Sequence, residues 1–352
     1  MKHVAVLMGG WSAEREVSLR SGTACADALE RTGTYRVSRV DVTRDIAATL
    51  RALQPDCALN VLHGRPGEDG TLQGLLEIIG IRYSHSGVMA SAVAMQKDIA
   101  KTILAAANVP VPGGMVVSRL QAAKKHLLPP PYVIKPLAEG SSVGVFIVQK
   151  DHAHPPQELN RADWAFGERV LVEPFIPGKE LTCAVMGDRA LGVIEIVPTT
   201  QWYDYEAKYA PGGSKHLLPA PVSPEIYEEC RRLSLLAHAA LGCRGQSLAD
   251  FLENLPGVVE PEKQRPCTTL LSVWQQPVLP RDVPRVFCQP VGAENLSTDR
   301  THEPAVHAIG TAEKLEKPLL VTARWGYRCH GLLICQRRAA AISPQTALAA
   351  LQ

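Results

Sequence analysis

The sequence predicts an α/β unit built on an open parallel sheet, followed by an α+β unit whose strands pair antiparallel. Two patterns predict this order. The apolar runs VAVLMGG, YRVSRVDV and CALNVLHG alternate with helical segments through the first part of the chain, as β-α-β units do. Further on, PYVIKP, VGVFIVQ, RVLVEPF and ELTCAVMGDRALGVIEIVP follow one another across short polar connections, which suits antiparallel pairing. A third observation limits the prediction. Beyond residue 252 neither period continues, and prolines recur at 256, 261, 266, 277, 280, 284 and 290.

The elements follow in order. VAVLMGG reads as a buried parallel strand running into a glycine turn. Ser12 is expected to cap the next helix, whose first turn carries Glu14 and Glu16 where acids suit the positive helix end. Two strands come next, the second ending in the loop HGRPGEDG, and then the helix TLQGLLEIIG. KDIAKTILAAANV is helical by the spacing of Ile99, Ile103 and Leu104. VPVPGG breaks it before the antiparallel strands, the last two of which turn at Gly187-Asp188. QWYDYEAKYAPGGSKHLLPAPVS is polar, aromatic and glycine-rich, and reads as a loop. Ser223 and Pro224 then open a helix with Ile226, Cys230, Leu233 and Leu236 on one side.

Composition excludes more than it identifies. With 46% apolar residues, 20% charged residues and a net charge of +2, the 352-residue chain gives no reason to expect a nucleic-acid or membrane partner. No apolar run approaches the roughly 18 residues of a membrane helix, and the N-terminus lacks the apolar stretch of a signal peptide, so a cytoplasmic protein is expected. The nine cysteines form no CxxC pair and suggest neither a disulfide framework nor a zinc site. Four of them, Cys267, Cys288, Cys329 and Cys335, fall in the unpatterned tail.

Several short stretches carry polar chemistry at strand ends. EGSSVGV lies between two strands, where backbone N–H groups can point at phosphate oxygens, and Lys135 ends the strand that enters it. Alone, this loop reads as a simple hairpin turn, and it is not a Walker A sequence. His63 in LHGRPGEDGTLQG follows a buried strand, at the edge where open α/β sheets bind ligands, and Glu14 in GGWSAEREVS lies at the same edge. EPFIPGKE offers an acid and an apolar pair that can hold a purine. YDYEAKY places Lys208 and Tyr209 in a loop able to close over a substrate.

Taken in order, GGWSAEREVS, LHGRPGEDGTLQG, SGVMASAVAMQK, VIKPLAEGSSVGV, VEPFIPGKELT and YDYEAKY resemble the D-alanine–D-alanine ligases of bacterial cell-wall synthesis, members of the ATP-grasp superfamily. The resemblance covers roughly residues 1–251. It implies a Rossmann-like N-terminal domain over 1–94, the small central ATP-grasp domain over 95–185, the start of the C-terminal ATP-grasp domain over 186–251, and a divergent tail over 252–352. It further implies ATP-dependent joining of two D-alanines through an acyl phosphate, for peptidoglycan precursor synthesis, by a homodimer that uses Mg²⁺ or Mn²⁺.

The same resemblance assigns roles. Glu14 would orient the first D-alanine through hydrogen bonds to Ser141 and Tyr209, with His63 nearby. Lys97 and Lys135 would hold ATP phosphates under the loop of Glu139, Gly140, Ser141, Ser142 and Val143. Glu173 would accept from the adenine amino group, flanked by Phe175 and Ile176, and Glu180 would bind the ribose. Lys208 and Tyr209 would lie on the loop that shuts the site, and the tyrosine goes with dipeptide rather than D-alanyl-D-lactate formation. Asp250 would bind the metal.

The family pattern then stops. Leu248 stands where the family has an arginine that stabilises the tetrahedral intermediate. The Glu-x-Asn metal pair, the Pro-Gly-Met segment and the serine for the second substrate do not follow Asp250. The chain as written is therefore expected to turn over weakly or not at all, and the alternative reading is a catalytically impaired nucleotide- or D-alanine-binding remnant. The lost period, repeated prolines and clustered cysteines fit a reading-frame shift near codons 246 to 252 better than a divergent domain.

Overall fold

The computed structural model describes residues 1–199, 212–254 and the strand 268–274. The N-terminal part is a four-stranded sheet of order β2-β1-β3-β4, all parallel, from β1 (Lys2–Gly9), β2 (Tyr35–Val42), β3 (Cys57–Asn60) and β4 (Arg82–Tyr83). Alternation along β1 explains its continuous apolar run. Val4, Val6 and Met8 pack with Cys25, Ala26 and Leu29 of helix α1 (Arg15–Arg31), while Ala5 and Leu7 face Leu50 of α2 (Ile46–Leu53) and Leu72 of α3 (Thr71–Ile78). Gly22 is where α1 comes closest to the sheet: a Cβ there would lie 2.4 Å from Met8 Cβ.

The helix start differs from expectation. Ser12 does not cap α1: its hydroxyl donates to the His63 carbonyl at 2.7 Å and accepts from the Glu14 N–H at 3.1 Å. Glu14 occupies the cap position without a side-chain capping bond, because its carboxylate faces the site. Strand β3 ends at Asn60, and VLHG continues as loop rather than strand.

Helices α4 (Val88–Met95) and α5 (Lys97–Ala106) lead into a second four-stranded sheet, order β5-β8-β6-β7 and antiparallel, from β5 (Met115–Ser118), β6 (Tyr132–Pro136), β7 (Phe146–Val148) and β8 (Arg169–Pro174). The short helix α6 (Arg119–Lys124), which the sequence reading missed, covers it with Ala122 and Ala123. On α5 the buried positions are Ala100 and Leu104, whereas Ile99, expected on the apolar face, is 47% exposed.

A five-stranded antiparallel sheet of order β11-β10-β9-β12-β13 completes the described structure. Its strands are β9 (Gly178–Met186), β10 (Arg189–Pro198), β11 (Ser214–Leu217), β12 (Gln246–Asn254) and β13 (Thr268–Trp274). Helix α7 (Pro224–Ala240) packs on one face, its start capped by Ser223 as expected. Leu181 and Cys183 of β9 and Ala249 and Phe251 of β12 face this helix together with Ala100 and Leu104 of α5. The hairpin β9-β10 turns at Gly187-Asp188 and lies wholly in this sheet, so a division at 185/186 would cut through it.

Candidate functional site

The site begins at the carboxyl edge of the parallel sheet, where the turn after β1 and the loop after β3 meet. Gly64, with φ at +64°, brings the second loop against the first: a Cβ there would sit 3.1 Å from Ser12 Cβ and 3.4 Å from Glu14 Oε2. His63 Nδ1 lies 4.0 Å from Glu14 Oε1, and both side chains are buried. Burial lowers the His63 pKa, against the opposing pull of the Glu14 charge. His63 Nε2 is buried with no hydrogen-bond partner among the described residues.

The loop between β6 and β7 reaches this edge from the second sheet. Ser141 donates its hydroxyl proton to Glu14 Oε1, a contact across 127 residues of chain. Ser141 and Ser142 both adopt left-handed backbone, with φ at +49° and +60°. Such conformations are uncommon for residues other than glycine and gather where function requires them. The Val143 N–H donates to the Gly140 carbonyl at 3.0 Å, closing the turn. Lys97 steadies its entry by donating from Nζ to the Glu139 carbonyl at 2.5 Å. Burial raises the Glu139 carboxyl pKa, against the lowering influence of Arg65 and Lys97.

Behind the loop, the strands place Lys135 and Glu173 together. Val133 of β6 pairs with Glu173 of β8, so Lys135, two residues on, lies on the same face and diagonal to it. Lys135 Nζ is 2.5 Å from Glu173 Oε2. Phe175 and Ile176 follow as a half-buried apolar pair, with the Phe175 N–H donating to the Pro131 carbonyl at 3.2 Å.

On the five-stranded sheet, β9 and β12 pair Thr182 with Asp250 and Glu180 with Leu252. Glu180 and Asp250 therefore share the face opposite α7. Leu248 is on that face too, buried and packed with Ala184, Leu191 and Ile194. Lys208 and Tyr209 lie outside the described residues.

The sequence reading missed two charged residues. Glu68 is buried and accepts from the Gly64 N–H at 2.9 Å. Burial, reinforced by the Glu14 charge, pushes its carboxyl pKa well above the usual range. Lys101 donates to Glu173 Oε1, the oxygen that Lys135 leaves open. Its place four residues after Lys97, on the same side of a helix, was a readable signal. For Glu68, the signal was an acid within a glycine-rich loop already picked out at the sheet edge.

Comparison with known proteins bears on this arrangement. The family model for the D-ala D-ala ligase N-terminus matches residues 43–86, and that for the D-ala D-ala ligase C-terminus matches 115–259. A D-alanine--D-alanine ligase of Rhodopseudomonas palustris (strain BisB18) is 66% identical over 250 residues, which are 71% of this chain and 81% of that protein. The chain belongs to the D-alanine–D-alanine ligase family. A ligase of the same name from Azorhizobium caulinodans is 68% identical over 250 residues, again 71% of this chain and 81% of that protein. The crystal structure of D-alanine--D-alanine ligase from Bacillus anthracis superposes with a TM-score of 0.62 at 28% identity, covering 79% of this chain and 88% of that one. Its complex with ATP gives 0.61 at 27% identity, covering 79% and 87%. The fold is accordingly Rossmann-like at the N-terminus and ATP-grasp beyond it.

Family membership also locates the departure. The C-terminal family match ends at residue 259, shortly after β12. The next described strand, β13, pairs Ser272 with Asp250 and carries no acidic residue between Thr268 and Trp274. No group of three potential metal-ligating side chains occurs among the described residues. No described helix is long and apolar enough to cross a membrane.

Proposed function

We propose that the chain catalyses the ATP-dependent joining of two D-alanines to D-alanyl-D-alanine for peptidoglycan precursors. The observation that carries this reading is the Ser141–Glu14 hydrogen bond. It ties the phosphate-type loop to the ligand edge of the parallel sheet, so a nucleotide and an amino acid held there would meet.

A carboxylate does not react with an amine at a useful rate. Transfer of the terminal phosphoryl group to the first D-alanine gives ADP and an acyl phosphate. The amine of the second D-alanine then attacks the carbonyl, and phosphate leaves. Glu14 would take the ammonium of the first D-alanine, and the buried, largely neutral His63 would present Nε2 to it. The 139–143 loop with Lys97 and Lys135 would hold phosphates, and Glu173, Phe175 and Ile176 the base. Glu180 is proposed for the ribose. Lys208 and Tyr209 would shut the site against water, which otherwise hydrolyses the acyl phosphate.

Mg²⁺ or Mn²⁺ would assist by offsetting phosphate charge. Asp250 is the residue of this chain offered to it, but β13 brings no second carboxylate alongside, so the described residues do not form a metal site. We propose a functional division at 1–94, 95–177 and from 178 through β13, which keeps the β9-β10 hairpin and its five-stranded sheet whole, and a cytoplasmic homodimer.

The test is ADP release by the full chain with Mg²⁺, ATP and D-alanine, with chromatography for the dipeptide. D-alanine-dependent turnover with dipeptide is expected, slower than that of the Rhodopseudomonas relative by at least about 10²–10³, because one missing anion donor alone costs that much and the metal pair is missing as well. A folded chain that binds ATP but forms no dipeptide overturns the ligase reading in favour of a binding protein.

A further inference from the structure

Glu173 is buried, yet its carboxylate holds two ammonium groups, Lys135 on Oε2 and Lys101 on Oε1. Lys135 comes from the neighbouring strand, and Lys101 from helix α5. We propose that Lys101 is a positioning residue for the purine: it keeps a cation on Glu173 and fixes its orientation while Lys135 serves the phosphates. This rests on the nucleotide reading above.

A triphosphate entering the site competes with Glu173 for Lys135, because its anionic oxygens outnumber those of one carboxylate. Without Lys101, that exchange would leave a buried carboxylate with no counter-charge, which is costly. With Lys101 in place, one oxygen stays paired, and the other is released to accept from a 6-amino group. A carboxylate has about four lone-pair sites, so both bonds can coexist.

The surrounding structure holds this geometry. Lys97 and Lys101 are four residues apart and lie one above the other on α5. The helix is anchored by Ala100 and Leu104 in the core beneath the five-stranded sheet. Room for the carboxylate depends on Gly114, where a Cβ would fall 2.8 Å from both Glu173 Cγ and the Val172 carbonyl, and 3.5 Å from Lys101 Nζ. A 6-oxo purine would present an acceptor to an acceptor, so the arrangement selects the 6-amino base.

Equilibrium titration of the full chain with ATP and with ITP tests this, using Lys101→Met, Lys101→Arg and Gly114→Ala, with circular dichroism as a check of folding. Lys101→Met is expected to weaken ATP binding about tenfold, the equivalent of about 1.4 kcal/mol, with little change for ITP. The preference for ATP over ITP therefore shrinks. Lys101→Arg should restore most of it, and Gly114→Ala should reduce it with every charge retained. An unaltered preference in Lys101→Met overturns the proposal, as does an equal loss for both nucleotides without rescue by arginine. If Lys101→Met does not fold, an unaltered preference in Gly114→Ala overturns it instead. Failure of the unaltered chain to bind ATP overturns the nucleotide reading itself.

Discussion

Glu14 shows how a single residue can be placed by a tertiary contact rather than by local rules. It stands at the cap of α1 but turns its carboxylate to Ser141, while Ser12, the better capping residue, joins the two loops instead. Behind this edge, His85 is buried with left-handed backbone at φ +75°. Its Nε2 donates to the Asn60 carbonyl at 2.8 Å while Nδ1 accepts from the Gln246 side-chain amide at 3.3 Å, so the neutral ring is the form that fits. Burial takes its pKa from the usual 6.5 to about 4. The unfolded chain gains a proton there near pH 6.5 and the native chain only near pH 4, so this residue costs stability as pH falls across that window. The loss reaches roughly 3 kcal/mol. Glu68, with its raised pKa, acts in the opposite sense: the native carboxyl keeps a proton that the unfolded chain releases, which favours the fold in acid. The variant His85→Asn, which tolerates the backbone, isolates the histidine. Its Tm is expected to fall less steeply than the parent's between pH 6.5 and 4; parallel curves would refute the assignment.

At the scale of elements, close approach decides what a helix can carry. Gly22 on α1 and Gly74 on α3 are both helix-interior glycines, and both look replaceable by alanine from propensity alone. Their surroundings differ. A Cβ at Gly22 would drive into Met8, whereas one at Gly74 would make ordinary contact with Val88 at 3.9 Å. Gly22→Ala should therefore destabilise by about 1–3 kcal/mol through overpacking. Gly74→Ala should be neutral or stabilise by up to about 1 kcal/mol. Urea denaturation of the two variants separates these cases, and equal effects would remove the packing argument. The helix pattern was legible in both segments, but the contact was not, because it depends on which strand lies beneath.

Across the whole molecule, the ligand edge of the first sheet and the loop of the second meet at Glu14 and Ser141. The motifs were readable because each keeps its chemistry within a few residues: LHGRPGEDG, EGSSVG and VEPFI. The tail was readable in a negative sense, through its loss of period after residue 252, and the C-terminal family match stops at 259. A shifted reading frame, as the sequence pattern leads one to expect, would account for both. Translating the gene's other two frames beyond codons 246 to 252 is expected to yield a Glu-x-Asn-Thr-x-Pro-Gly run, and its absence from both frames would sink the frame-shift account.

The sequence by itself determined the alternation of parallel and then antiparallel strands and the order of motifs that resembles the family, since both are written in local order and spacing. The tertiary structure decided which charges meet. Lys101 reaches Glu173 only because α5 packs where β8 passes, and Ser141 reaches Glu14 only because two sheets abut across 127 residues of chain. Contacts of that separation are fixed by how layers stack, and no residue's neighbours in sequence record it.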